Sequence, residues 1–196
     1  MKPTLKQIKK IMAEKAYKYF HGGDYDVNII GVRNTETAGV LTNKFDDWIT
    51  LSYTIDGKEY YECWEATTDP GESWMDSPLS EKGCAILVPG QYRGVYKIAK
   101  HGGRYEALCQ RWGKVRVYRD SNRDECYDTD DATIQEGYYG INIHRSNPKR
   151  PSKQINKYSA GCQVFACPDD FDDFMDVCNK AADKWGNKFT YTLIEI

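Results

Sequence analysis

The chain reads as a mostly β domain of the α+β class, with one helix near each end. Three observations predict this. Aromatic residues make up 13% of the 196, including fifteen Tyr and five Trp, and such side chains suit a pleated, half-buried surface. Short apolar runs separated by turn residues recur from about residue 27 to residue 144. Apolar residues at three- and four-residue steps mark one stretch near the start of the chain and another after residue 169.

Leu5, Ile8, Met12, Ala16 and Tyr19 recur at helical steps between lysines, which predicts an amphipathic helix over residues 3 to 20. Thr4 is its expected N-cap, and His21-Gly22-Gly23 its stop. A helix packed on the domain with its lysines in water is favoured over one that grips an anionic polymer. The expected division is a helical appendage over 1–25 and a domain over 26–196. Val27–Arg33 suits a strand and Asn34–Asn43 a loop. Trp48–Ile55 and Glu59–Ala66 flank Asp56-Gly57, a strong hairpin signal, and Thr67-Thr-Asp-Pro-Gly71 follows as a turn. Further strands are expected at Ala85–Val88, Gly94–Lys100, Tyr105–Arg111, Val115–Arg119 and Tyr138–His144, punctuated by Pro89-Gly90 and Gly102-Gly103. Asp169 or Asp170 can cap a helix with Phe171, Phe174, Met175, Val177 and Cys178 inward, stopping at Gly186. Phe189–Ile194 closes the chain as a strand.

The composition excludes several classes. A net charge of −2 gives no general drive towards nucleic acid or anionic lipid, and no apolar run approaches the ~20 residues of a membrane span. The first ten residues place lysines between spaced apolar residues, so they are not expected to act as a signal peptide. Seven cysteines occur without any Cys-x-x-Cys, which argues against a zinc site, and most are expected to be reduced, half-buried thiols. A Cys162–Cys167 bridge is the less favoured alternative. Asp120-Ser-Asn-Arg-Asp124 opens like a calcium loop but lacks its glycine and closing Glu, so a solvated acidic loop is preferred and no metal is assigned. The aromatics Tyr60, Tyr61, Trp64 and Trp74 suit a strand with one core face better than a sugar-stacking surface.

The chemistry concentrates between His144 and Cys162. The alternating segment Gly140-Ile-Asn-Ile-His144 ends on a histidine; after seventeen intervening residues Cys162 stands in Ser159-Ala-Gly-Cys-Gln163. A thiol attacks well only as thiolate, and a free pKa of about 8.5 leaves little of it at neutral pH without a base. His144 is placed to supply that base. The small-residue run Ser159-Ala160-Gly161 lets backbone amides approach a reacting carbonyl oxygen. These are the parts of a thiol acyl-transfer site.

His144, fourteen residues, then Ser159 with Gly161-Cys162 resembles the L,D-transpeptidase catalytic domain, whose signature is His, fourteen to seventeen residues, then Ser/Thr-His-Gly-Cys. The match is specific from about Tyr139 to Phe165 and diffuse over roughly 46 to 138. Two positions depart: Ala160 replaces the histidine before Gly-Cys, and Val164 replaces the Asn/Arg two residues after the cysteine. Variants reading Ser-Ala-Gly-Cys-Gln look like those of phage-associated and related bacterial cell-wall proteins. The resemblance implies a β-sandwich or barrel with one helix after the cysteine and no cofactor. It implies Cys162 as nucleophile, His144 as general base, and the Gly161 and Cys162 amides as oxyanion donors. Substrate contacts are expected from Arg145, Ser159, Ala160, Gln163 and His101; Ser159 would fix the turn, and for His101 an exposed loop position is favoured over a role at the pocket rim.

The implied substrate is a peptidoglycan stem peptide, cleaved or cross-linked at an L,D bond through a Cys162 thioester. Without the usual histidine and Asn/Arg, hydrolysis is favoured: an L,D-carboxypeptidase or endopeptidase. The protein would be made in a bacterial cytoplasm and act at the wall after release or on a virion, with a phage protein as a possible partner. A non-catalytic wall-binding or virion structural module is the alternative. A papain-like peptidase fits less well, because there the cysteine precedes the histidine.

Overall fold

Turn chemistry and alternation build a closed sheet. The computed structural model describes residues 1–37 and 39–196. Strands β1 (Asn28–Arg33), β2 (Asp47–Ile55) and β3 (Lys58–Thr67) are followed by the short helix α2 (Glu72–Asp76). Next come β4 (Cys84–Leu87), β5 (Gly90–His101), β6 (Tyr105–Gln110), β7 (Val115–Asp120) and β8 (Gln135–Gly137). The chain ends with β9 (Ile143–Arg145), β10 (Gln163–Phe165), helix α3 (Pro168–Trp185) and β11 (Phe189–Glu195), and α1 (Leu5–Glu14) precedes them all. Eight strands close a barrel in the order β1-β11-β5-β6-β9-β10-β3-β2, while β4, β7 and β8 form a separate three-stranded sheet. Within the barrel β1/β11 and β9/β10 run parallel and the other neighbours antiparallel.

The hairpin around Asp56-Gly57 forms as expected. Both residues have positive φ, 50° and 76°, which matches the twist of the flanking strands, and β2 and β3 pair from Asp47/Ala66 to Ile55/Lys58. The core fills the barrel and the space beneath α3. Tyr96, Tyr191, Phe165 and Phe174 are wholly buried, and Phe165 packs on Phe174 with ring centroids 5.0 Å apart. Each such ring contributes on the order of 2 kcal/mol by leaving water.

The helix after the cysteine ends at Gly186 (φ 89°) as expected, but its start differs. Cys167 is the N-cap residue and Pro168 opens the helix, so Asp169 and Asp170 lie in the first turn, where carboxylates suit the positive end of the helix dipole.

The first helix is shorter than its periodicity predicts. Thr4 caps it with a reciprocal Gln7 bond, but the helix stops at Glu14 because Ala16 adopts φ 53°. Residues 17–20 instead run back along the barrel, with the Tyr19 hydroxyl bonded to Ser52 at 2.7 Å. Ile8 and Met12 are buried against Ile30, Val32 and Ile194, so the N-terminal segment is packed on β1 and β11.

A strand over 138–144 does not form. Gln110 Oε1 accepts the backbone N–H groups of Tyr139, Gly140 and Ile141, Gly140 takes φ 69°, and only 143–145 joins the sheet. Gly90 opens β5 rather than punctuating it. The loop expected over 34–43 holds a short 3-10 turn at Thr35–Thr37, and its residue Ala38 lies outside the described residues. α2, β8 and β10 have no counterpart among the expected elements.

Candidate active site at one barrel edge

The parallel pairing of β9 with β10 matches Gln163 to Ile143 and Val164 to His144, which places Cys162 beside Asn142 just before β10. Residues distant along the chain thus meet across two short strands. Cys162 is partly exposed; its thiol donates to the Gly140 carbonyl at 3.4 Å, and its sulfur accepts the Asn142 backbone N–H at 3.5 Å. No hydrogen bond joins it to the His144 ring among the described residues. Burial pushes the thiol up to about 11, only partly offset by the Asn142 N–H.

His144 is 4% exposed, and its Nδ1 lies 2.8 Å from the Arg145 carbonyl. A carbonyl can only accept, so Nδ1 carries the proton and Nε2 keeps its lone pair. The Tyr105 hydroxyl also donates to the Arg145 carbonyl, at 3.2 Å. Burial first, then His101 beside it, lowers the imidazole to about 3. The resting pair is therefore neutral thiol and neutral imidazole. Such a base can take the proton only as the thiol attacks a bound carbonyl.

His101, at the end of β5, stacks on His144 with ring centroids 4.1 Å apart and 23° between planes, and its Nδ1 contacts Asn142 Nδ2 at 3.1 Å. It belongs to the site rather than to an open loop.

Ser159 is fully buried and holds the turn that leads into Cys162. Its Oγ donates to the Cys162 carbonyl at 2.8 Å and accepts the Gly161 N–H at 3.1 Å. Ser159 thus fixes the turn as expected, but its burial corrects the expectation that it contacts a substrate, and the Gly161 amide is bonded to Ser159 Oγ. Glycine is needed at 161 for another reason. Its φ is 115°, and a Cβ there would lie 2.1 Å from the Ala85 carbonyl oxygen. The Cys162 amide has no acceptor among the described residues. Gln163 is another correction. It is wholly buried facing the barrel interior, where Oε1 accepts from the Tyr191 hydroxyl at 2.6 Å and Nε2 approaches the Thr68 carbonyl. Alternation along β10 turns it to the face opposite the one that Cys162 shares with buried Val164. Ala160 is half-buried beside the turn.

A groove of about 490 Å³ opens over His144 and His101. Arg104, Arg145 and Lys157 line it, with Tyr105 and Tyr158, and no carboxylate among the described residues does. None of the three cations is ion-paired among the described residues. Arg145 stacks over the Tyr105 ring at 4.1 Å from its centroid, which holds its guanidinium at the rim. Cys162 does not itself line this groove. Asn142, Gln110 and Tyr105 are contributors that the sequence reading missed. Asn142 lay inside the motif, two residues before His144, whereas nothing local marks Gln110 or Tyr105.

Among the described residues no three His, Cys, Asp or Glu side chains are grouped to hold a metal, all seven cysteines are free, and no helix is long and apolar enough to cross a membrane. No family model, curated protein or solved structure matches the chain.

Proposed function

We propose that this protein is a thiol acyl-transfer enzyme of the L,D-transpeptidase type that acts on peptidoglycan stem peptides. The observation that carries the reading is the His144 ring. It is held neutral, with Nδ1–H on the Arg145 carbonyl and Nε2 without a partner among the described residues, on a strand paired in register with the one that Cys162 immediately precedes. In the reaction, His144 takes the thiol proton as Cys162 Sγ attacks the carbonyl at the L,D bond. The Cys162 amide meets the developing oxyanion, the amine departs with a proton from His144, and a thioester remains. Water then releases the shortened peptide. The groove supports this substrate class, since three cations with no ion pair among the described residues suit a peptide rich in carboxylates. Hydrolysis is favoured over cross-linking because Ala160 and Val164 replace the polar side chains with which the resembling family flanks its cysteine.

The second reading is a non-catalytic wall-binding module. The observation in its favour is the resting thiol, which donates to the Gly140 carbonyl rather than to His144. Incubation with purified muropeptides and product analysis by mass separates the readings. The enzyme reading expects shortened stems that vanish in Cys162→Ala. New 3→3 dimers without shortened monomers would defeat the hydrolase version, and unchanged muropeptides retained by the protein would favour the binding module.

A further inference from the structure

We infer that His101 is a second catalytic imidazole, a neutral Nε2–H donor that receives the substrate carbonyl oxygen as Cys162 attacks. The inference rests on the acyl-transfer reading above and names a role for a residue that reading leaves unused.

The proton position follows from a chain of obligatory bonds. The backbone N–H of Gln110 donates to Asn142 Oδ1 at 2.9 Å, which orients the amide so that Nδ2 is the end facing His101. An amide nitrogen can only donate, so His101 Nδ1 must accept, and the ring proton sits on Nε2. His144 has the opposite tautomer, because its Nδ1 donates to Arg145. Two nearly parallel rings 4.1 Å apart thus offer different functions, one a lone pair and the other an N–H. Two imidazolium rings could not share that stack. Burial, with Arg104 and Arg111 nearby, keeps His101 from gaining a second proton.

His101 also lines the groove, and Asn142 couples it to the nucleophile, since the backbone N–H of the same residue bonds Cys162 Sγ. The site needs such a donor. The Gly161 amide is spent on Ser159 Oγ, which leaves the Cys162 amide short of a partner for the oxyanion. A neutral imidazole with depressed proton affinity is a good hydrogen-bond donor to a polarised carbonyl.

The test uses p-nitrophenyl acetate as acyl probe and iodoacetamide as alkyl probe, each followed at Cys162 by peptide mass. In acetylation the Sγ–C bond forms, the thiol proton passes to His144 Nε2, and the ester C–O bond breaks to release p-nitrophenolate. Alkylation displaces iodide and develops no oxyanion. His101→Phe keeps an aromatic ring on His144 but has no donor. It should slow acetylation by about 100-fold or more, while alkylation changes by less than about threefold. His101→Gln restores an N–H and should recover roughly tenfold of the loss. Asn142→Asp would accept from His101 Nδ1 and move its proton off Nε2, so it should fall with the Phe variant. Equal losses in both reactions, or no loss of acetylation in either His101→Phe or Asn142→Asp, overturn the donor role. A wild-type Cys162 that is alkylated but never acetylated overturns the acyl-transfer reading together with it.

Discussion

His144 owes its chemistry to burial and to one carbonyl. Its folded pKa of about 3 lies below the ordinary value near 6.5, so the ring is neutral in the native state and gains a proton more readily when unfolded. The stability this contributes is complete above pH 6.5 and is lost as pH falls towards 3. Thermal melts across pH 7 to 4 should therefore show a falling midpoint, with a shallower fall in His144→Phe. At Cys162 the shift is upward, to about 11, so alkylation by iodoacetamide should keep rising through pH 9 instead of levelling near 8.5. A plateau near pH 6 would instead mean a preformed thiolate–imidazolium pair. Gly161→Ala should be severe at this same turn. Positive φ and the Ala85 carbonyl both oppose a Cβ, with a cost of roughly 3 kcal/mol or more and a melting point lower by about 6–12 °C.

Between the strands, the segment from Asn147 to Ala160 has almost no regular structure, yet several contacts pin it. Asn43, at φ 53°, donates through Nδ2 to Asn156 Oδ1 and Glu72 Oε2, while its Oδ1 accepts the N–H groups of Asn156 and Glu72. Gly71 N–H donates to the Ser159 carbonyl, and Trp74 Nε1–H to the Lys157 carbonyl. The Thr67–Gly71 turn and α2 thus hold the loop that leads into Cys162. Asn43→Ala removes four hydrogen bonds and places alanine at positive φ. It should cost about 2–4 kcal/mol and speed proteolytic cutting between 147 and 160, as read by peptide mapping. Equal cutting rates in variant and parent would show that the anchor is not needed.

Over the whole molecule, one end of the barrel is tied by a buried ionic cluster. Arg33 on β1 bonds Asp69 at 3.0 Å and approaches Glu195 of β11 at 3.6 Å, and Asp47 of β2 accepts the N–H and hydroxyl of Thr68. Burial raises both Asp47 and Asp69, and Asp69 adds to the effect on Asp47, while Arg33 opposes it in each. Arg33→Met would strand two buried carboxylates. The expected loss is about 3–5 kcal/mol at neutral pH, seen in urea unfolding, with partial recovery as pH falls and the carboxylates take protons. A variant as stable as the parent at pH 7 would show that the cluster is not needed to hold that end of the barrel.

What lay open in the chain was local. The Asp56-Gly57 hairpin, the Thr4 cap, the Gly186 stop and the mostly β class follow from residues within a few positions of one another. The candidate pair His144 and Cys162 stood out because its chemistry is rare and its spacing distinctive. Periodicity misled where one residue changed the backbone: Ala16 ended the first helix early, and the buried Gln110 amide drew residues 139–141 out of the sheet. The structure alone assigned the protons and partners. The tautomer of His101 depends on an amide forty-one residues away, which Gln110 in turn orients; the Gly161 amide was lost to Ser159; and Gln163 turned inward to Tyr191. Local pattern marks the candidate residues, because propensity and turn geometry act over short range. Which donors remain free is a property of the closed barrel, because each hydrogen bond is allotted only after distant strands have met.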